Sequence, residues 1–261
     1  LLVSTRFTRA ILRPPGASYA DGITTSTEGA PDVALAVKQH AAYGAALEKL
    51  GLTLTWLAAD EAYPDSTFVE DTAIVTPEAA ILTRPGAVSR AGEVAAMAPV
   101  LEAAFGAYRR IEAPGTLDGG DICETDDGVL IGITARTNVA GGEQLARHLA
   151  DLGLKSELVD IRSVEALLHL KTGICYLGEG RMAVAPGLPE LAALKRFECV
   201  ELHPDEAYAA NCIRVNDTVL IAAGYPRFAE ALDKLGHKLL PLNMSEFRKM
   251  DGGLSCLSLR F

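Results

Sequence analysis

One repeated pattern limits what this chain can become: apolar strand, tight turn, apolar strand. Residues 70–75 run through a Pro-Glu turn into residues 79–83. Residues 120–123 turn at Asp126-Asp127-Gly128 into residues 129–133. Residues 172–177 turn at Gly178-Glu179-Gly180 into residues 182–185, and residues 211–215 turn at Asn216-Asp217 into residues 219–222. The segments after the hairpins repeat too. Residues 92–105 carry Val94, Met97, Leu101 and Phe105 at helical spacing, ahead of a strand-like stretch at 108–111. Residues 142–152 and 227–235 do the same, with strands expected at 154–159 and 239–242. Between the third and fourth hairpins the helical signal is weak and confined to 190–197. The unit is strand–strand–helix–strand with a period of ~40–50 residues.

A fifth copy is split between the termini. Residues 255–261 are expected to pair with residues 7–12. A loop at 13–31, a helix at 32–50 and a strand at 52–57 complete it, with Asp32 as N-cap and Gly51 just past the helix end. A ring closed by its own ends has no free sheet edge between first and last units and has a central axis. The predicted fold is therefore α/β: a five-fold pseudosymmetric propeller in one domain spanning 1–261. In such a ring the hairpin starts meet at the axis. Those starts are Glu70-Asp71, Asp118 through Asp121, the His169 region, Asn211 and Cys256.

Charge and cysteine usage narrow the class. With 24 basic and 34 acidic side chains the net charge is −10, and no basic block stands out, which disfavours nucleic acid and acidic membranes as partners. No apolar run is long enough to span a bilayer, and the start shows no signal-peptide layout. The chain begins on Leu1, which reads as a trimmed start. Five widely spaced cysteines form no Cys-x-x-Cys pair and no zinc spacing, so free thiols in a reducing, cytoplasmic compartment are expected, with no metal and no cofactor.

The polar residues at the expected axis carry chemistry. Cys256 follows Gly252-Gly253 and is expected at the mouth of the last strand, a mounting that suits a nucleophile as well as a small buried thiol. Glu70 and Asp71 abut apolar residues, where acids need a cation or hydrogen-bond donors; a guanidinium ligand would fit them bidentately. Asp118-Gly119-Gly120-Asp121 suits an ordinary turn, or a carboxylate that orients an imidazole. His169 sits among leucines, as a satisfied core histidine or a general acid. Arg90 and Arg136 lie in loops after strands; facing one pocket, they would hold a carboxylate. A thiol, an imidazole, acids and two arginines suit attack by a thiolate on a cationic carbon in a substrate that also bears a carboxylate.

These segments, together with Asp21-Gly22-Ile23-Thr24, Pro64-Asp65, Thr83-Arg84-Pro85-Gly86-Ala87, Ala135-Arg136-Thr137-Asn138 and His169-Leu170-Lys171-Thr172-Gly173, resemble the dimethylarginine dimethylaminohydrolases of the pentein superfamily almost end to end. The resemblance implies hydrolysis of Nω-methylated L-arginines to L-citrulline and an amine. It implies Cys256 as nucleophile through a thiouronium adduct, His169 as acid then base, and Asp118 as its orienting carboxylate. It also implies that Glu70 and Asp71 hold the guanidinium, that Asp65 and the backbone at Ile23 and Met250 hold the α-amino end, and that Arg90 and Arg136 hold the α-carboxylate. A homodimer, and a lid formed by residues 17–27, are further expectations. The rival readings are an arginine deiminase, an agmatine- or citrulline-processing relative, and a non-catalytic propeller that only binds.

Overall fold

The computed structural model describes residues 6–164 and 167–261; the Leu1 start lies outside them. Strands β1 (Arg9–Leu12) and β2 (Thr53–Trp56) flank helix α1 (Val33–Lys49). Then come β3 (Ala73–Val75), β4 (Ala80–Leu82), α2 (Glu93–Phe105) and β5 (Arg109–Arg110). The third unit is β6 (Ile122–Thr125), β7 (Gly128–Ile133), α3 (Val139–Asp151) and β8 (Ser156–Asp160). The fourth opens on a one-turn helix, α4 (Leu170–Gly173), then β9 (Ile174–Gly178), β10 (Arg181–Val184) and β11 (Glu198–Glu201). Strands β12 (Ile213–Val215) and β13 (Thr218–Ala222), helix α5 (Pro226–Lys234) and β14 (Lys238–Leu242) form the fifth. A short α6 (Ser245–Arg248) precedes the final strand, β15 (Leu259–Arg260).

These strands make five three-stranded sheets. In each, a middle strand pairs antiparallel with its hairpin partner and parallel with the strand that returns after the crossover. The split unit obeys the same rule: β1 pairs antiparallel with β15 and parallel with β2. The expected five-fold architecture is thus the observed one. Asp32 caps α1 as expected, accepting the Leu35 N–H at 3.0 Å, and Gly51 follows the helix with φ of +92°.

Two expectations are corrected. The weak helical pattern at 190–197 yields only a 3-10 turn, Ala192–Leu194, so the fourth unit crosses over without an α-helix. That stretch lacks a continuous apolar face to bury, and one turn costs more entropy than its few hydrogen bonds return. The expected terminal strand at 255–261 shrinks to β15, because residues 255–257 form a 3-10 turn instead.

The first strand of each hairpin is nearly all buried and lies toward the axis, whereas the returning strands β2, β11 and β14 are half exposed. A short turn precedes every inner strand: Val69–Thr72, Gly119–Asp121, α4, Pro204–Ala210 and Ser255–Leu257. The turns touch one another in a circle, and the Ser255 N–H closes it on the Asn211 side-chain oxygen at 2.9 Å. This circle of turns is the platform for the polar residues.

Candidate functional site

Cys256 occupies the middle of its turn and is half-buried. The double glycine brings it there. A Cβ on Gly253 would lie 2.4 Å from the Asn211 Cγ, so only glycine lets the chain pass so close. The Gly253 N–H approaches the sulfur at 3.5 Å, and the Asn211 Nδ2 lies 4.0 Å away. Burial, reinforced by Glu70 and Asp71, pushes the thiol up to about 12. The resting sulfur is therefore protonated at neutral pH.

His169 caps α4. Its Nε2 lies 3.0 Å from the Asp118 Oδ2. Asp118 is wholly buried; its other oxygen accepts the Gly86 N–H at 2.8 Å, and the Arg136 guanidinium stands 3.5 Å away. Burial works against a charged ring, but Asp71, Asp121 and the hydrogen-bonded Asp118 outweigh it and raise His169 to about 9. The two acids of Asp-Gly-Gly-Asp divide the work. Asp118 orients the ring, while Asp121 accepts the Leu170 N–H and the Thr134 hydroxyl, both at 2.9 Å, and so fixes the start of α4. Burial pushes Asp121 up to about 6 against the pull of His169. Gly120 is small by necessity, since its Cβ would sit 2.8 Å from the His169 Cγ.

Asp71 accepts the Gly120 N–H at 2.8 Å and pairs with Arg90 at 2.5 Å. Burial opposes its ionisation, but Arg90 and His169 hold it down at about 2. Asp65 accepts the Ile23 N–H at 3.1 Å and 3.2 Å, and burial raises its carboxyl. Arg90 is buried with every nitrogen engaged: Nε and Nη2 fork onto Glu93, Nη1 meets Asp71, and Nη2 also donates to the carbonyls of Asp65 and Phe68. Arg136 is less tightly held, with Asp118 as its ion-pair partner.

Eight of the ten predicted site residues line one small cavity: Ile23, Asp65, Asp71, Arg90, Arg136, His169, Met250 and Cys256. Asp118 stands behind His169. Glu70 departs from expectation. Its carboxylate takes Lys171 at 2.6 Å and the Ser255 hydroxyl at 2.8 Å, and it lines a different cavity on the far side of the turns. Successive side chains on a 3-10 turn point about 120° apart, so neighbours such as Glu70 and Asp71 cannot share a direction. Sequence reasoning did not single out Asn211, Ser255, Lys171 and Asp121 as site residues. Each adjoins a predicted one or heads a hairpin, which was the available signal.

The cavity measures about 30 Å³, room for little more than a water. The segment over it is pinned at several points. Glu61 accepts the Ala17 and Ser18 N–H groups, the Thr24 hydroxyl donates to the Lys249 carbonyl, and Asp251 accepts from Thr25. Among the described residues, Asp71, Asp118 and His169 have the mutual spacing of metal ligands. Their ligand atoms already serve Arg90, Gly86, Gly120 and one another, which makes them a poor cation site.

Five three-stranded units closed around an axis, four of them with a crossover helix, with a half-buried thiol and an Asp-held imidazole on the axis, define a pentein with a cysteine–histidine site. The model of the arginine deiminase family matches residues 61–223. A dimethylarginine dimethylaminohydrolase of Pseudomonas aeruginosa is 43% identical, with 98% of this chain and all of the relative covered. The corresponding enzyme of Streptomyces coelicolor is 36% identical, with 97% and 96% covered. The solved Pseudomonas structure of a cysteine-to-serine variant with citrulline matches with a TM-score of 0.95 at 42% identity, covering 98% of this chain and 100% of that one. The chain belongs to the dimethylarginine dimethylaminohydrolase family.

Proposed function

We propose that the protein hydrolyses Nω-methylated L-arginine to L-citrulline and methylamine or dimethylamine. The observation that carries the reading is the convergence of Cys256, His169 with Asp118 behind it, Asp71 and Arg136 on one small cavity. The substrate's guanidinium sits against Asp71, beside the thiol. A cation there offsets the carboxylates that keep the sulfur protonated, so binding itself releases the Cys256 proton to solvent.

The thiolate attacks the guanidino carbon and an S–C bond forms. His169 gives its proton to the leaving amine as the C–N bond breaks, and a thiouronium remains on Cys256. The neutral imidazole then takes a proton from water. Hydroxide adds to the thiouronium carbon, the C–S bond breaks, the added oxygen gives its proton to the departing sulfur, and citrulline leaves. Asp118 holds the ring in place and balances its charge through both halves of the cycle. Arg136 meets the α-carboxylate directly, with Arg90 adding charge from behind its own pairs; Asp65 and the backbone at Ile23 and Met250 hold the amino end. Glu70 serves instead as a strut, tying the nucleophile's turn to α4 through Ser255 and Lys171. A homodimer remains part of the proposal, to be checked by sedimentation.

The test is a citrulline and amine assay on purified protein, comparing asymmetric dimethylarginine, monomethylarginine, arginine and agmatine, with Cys256→Ser as control. Citrulline with dimethylamine, lost in the variant, is the expected result. The family-model match favours one second reading, ammonia release from arginine, and that product would move the protein to the deiminases.

A further inference from the structure

The far side of the turns holds chemistry that the proposed reaction does not use. There the inner strands enclose a second cavity of about 160 Å³ along the axis. Three cysteines from three successive units line it: Cys123 on β6, Cys175 on β9 and Cys212 immediately before β12. Strand β9 packs against both β6 and β12. The Cys175 and Cys212 thiols act directly on each other's protonation, and the Cys175 and Cys123 sulfurs also lie against their own strands, 3.6 Å from the Tyr176 carbonyl and 3.9 Å from the Glu124 carbonyl. Lys171, Arg214 and Arg260 also line the cavity, facing Glu70, Glu124 and Asp126, so acids and cations balance around the thiols.

The three thiols are not equivalent. The hydrogen bond from Cys212 pulls Cys175 below its ordinary value, against burial and with help from Arg260 and Lys171. The same bond leaves the shared proton on Cys212. Burial pushes Cys123 up to about 12. Cys175 is thus the readiest of the three to give up its proton, and Cys212 is placed to resolve it once oxidised.

We propose that Cys175 and Cys212 form a redox-modification site, reached through the axial cavity by small oxidants of the peroxide class and linked to the nucleophile through Asn211. The Cys175 thiolate attacks a peroxide oxygen; an S–O bond forms, the O–O bond breaks, and the departing hydroxide takes a proton to become water. The Cys212 sulfur then attacks the sulfenic sulfur. An S–S bond forms, the S–O bond breaks, and the hydroxyl leaves as water with the Cys212 proton. The two thiols lose two electrons and the peroxide gains them.

The link to Cys256 is direct. Asn211 adjoins Cys212, accepts the Ser255 N–H and reaches toward the Cys256 sulfur. A disulfide needs its sulfurs about 2.05 Å apart, well inside the non-bonded contact of two thiols, so Cys212 shifts when it forms. Asn211 shifts with it, and the nucleophile's turn loses its anchor. None of this depends on the substrate assigned to Cys256.

The full-length protein is treated with hydrogen peroxide, its remaining thiols are blocked with N-ethylmaleimide, and its peptides are mapped without reduction. The expected product is a Cys175–Cys212 cross-link, reversible by dithiothreitol, in the unsubstituted protein and in Cys123→Ser. Cys175→Ser and Cys212→Ser should lack it. No such link in the unsubstituted protein, at peroxide doses that already oxidise Cys256, overturns the site. A link through Cys123 overturns the pairing. For the coupling, the disulfide-forming oxidant diamide is used, because among the described residues no second cysteine lines the Cys256 cavity. Iodoacetamide alkylation of Cys256 should then slow several-fold in the linked protein and stay unchanged in diamide-treated Cys175→Ser. An unchanged rate in fully linked protein overturns the role of Asn211.

Discussion

Glu70 and Asp71 are adjacent, about equally buried at 4% and 3% exposure, and each is paired with a cation; yet they serve opposite ends of the axis. Asp71 faces the cavity of Cys256 and His169, held by Arg90 and the Gly120 N–H. Glu70 faces the axial cavity, held by Lys171 and Ser255. The upper end gathers groups whose protonation is displaced from the ordinary: a thiol near 12, an imidazole near 9, a carboxyl near 2. That is the signature of a reactive site. Glu70's contacts at the lower end are struts between units. Burial alone therefore does not separate the roles of these two acids; the direction each side chain takes from the ring of turns does.

The largest expected contrast is between thiols of the two ends. Cys256→Ser should lower citrulline formation by about four orders of magnitude or more. Cys123→Ser, at the other end, should leave the assay essentially unchanged. Next comes Asp118→Asn, which removes the carboxylate facing His169. The rate should fall by about 10²–10⁴-fold, and the alkaline limb of the pH–rate profile should move to lower pH, because the imidazolium loses a partner that raised it. A profile that drops without moving would break the assignment of Asp118 to the ring.

Glu70→Gln and Asp71→Asn then sharpen the comparison itself. Glu70→Gln strands Lys171 and should cost roughly 3 kcal/mol in urea unfolding, since breaking one partner of a mostly buried pair leaves an uncompensated charge. Asp71→Asn should instead be read mainly in kcat/KM, because Arg90 keeps Glu93. A Glu70→Gln protein of full stability that binds substrate poorly would return Glu70 to the guanidinium.

Two histidines offer a contrast in pH. His169 is raised to about 9, so its stabilising contribution is complete below about 6.5 and is lost as pH climbs through 9. His40 lies in α1 with neither ring nitrogen hydrogen-bonded, packed against Tyr43, Trp56 and Phe247, and burial lowers it to about 4. Its neutral form is favoured in the fold, so stability falls as pH drops from 6.5 toward 4, by on the order of 3 kcal/mol. Thermal melts of His40→Gln should show a flatter acid side. The smallest effect concerns the segment over the cavity. Citrulline should slow proteolysis within residues 17–27 by a few-fold, and equal cleavage rates would remove the lid. Ile23→Leu should change kcat/KM little, since the Ile23 contact seen is its backbone N–H to Asp65.

The repeat was legible because alternation and helical spacing are local, and the two termini matched its missing halves. The class of site was legible because polar residues headed every hairpin. The failures were equally physical. Residues 255–257 have strand-like composition, yet the close passage of Gly253 against Asn211 coils them into a turn before β15 begins. Residues 190–197 keep a trace of helix pattern without enough apolar face to form one. Sequence groups Glu70 with Asp71 because it shows adjacency but not direction.

Sequence by itself determined the units, their order, the closure of the ring, and which residues stand at the axis, since each follows from short-range periodicity and turn chemistry. Only the tertiary structure decided which end of the axis each side chain faces and where the protons rest. Those depend on burial and on polar groups brought together from units far apart in the chain, as with Glu70 and Ser255, 185 residues apart.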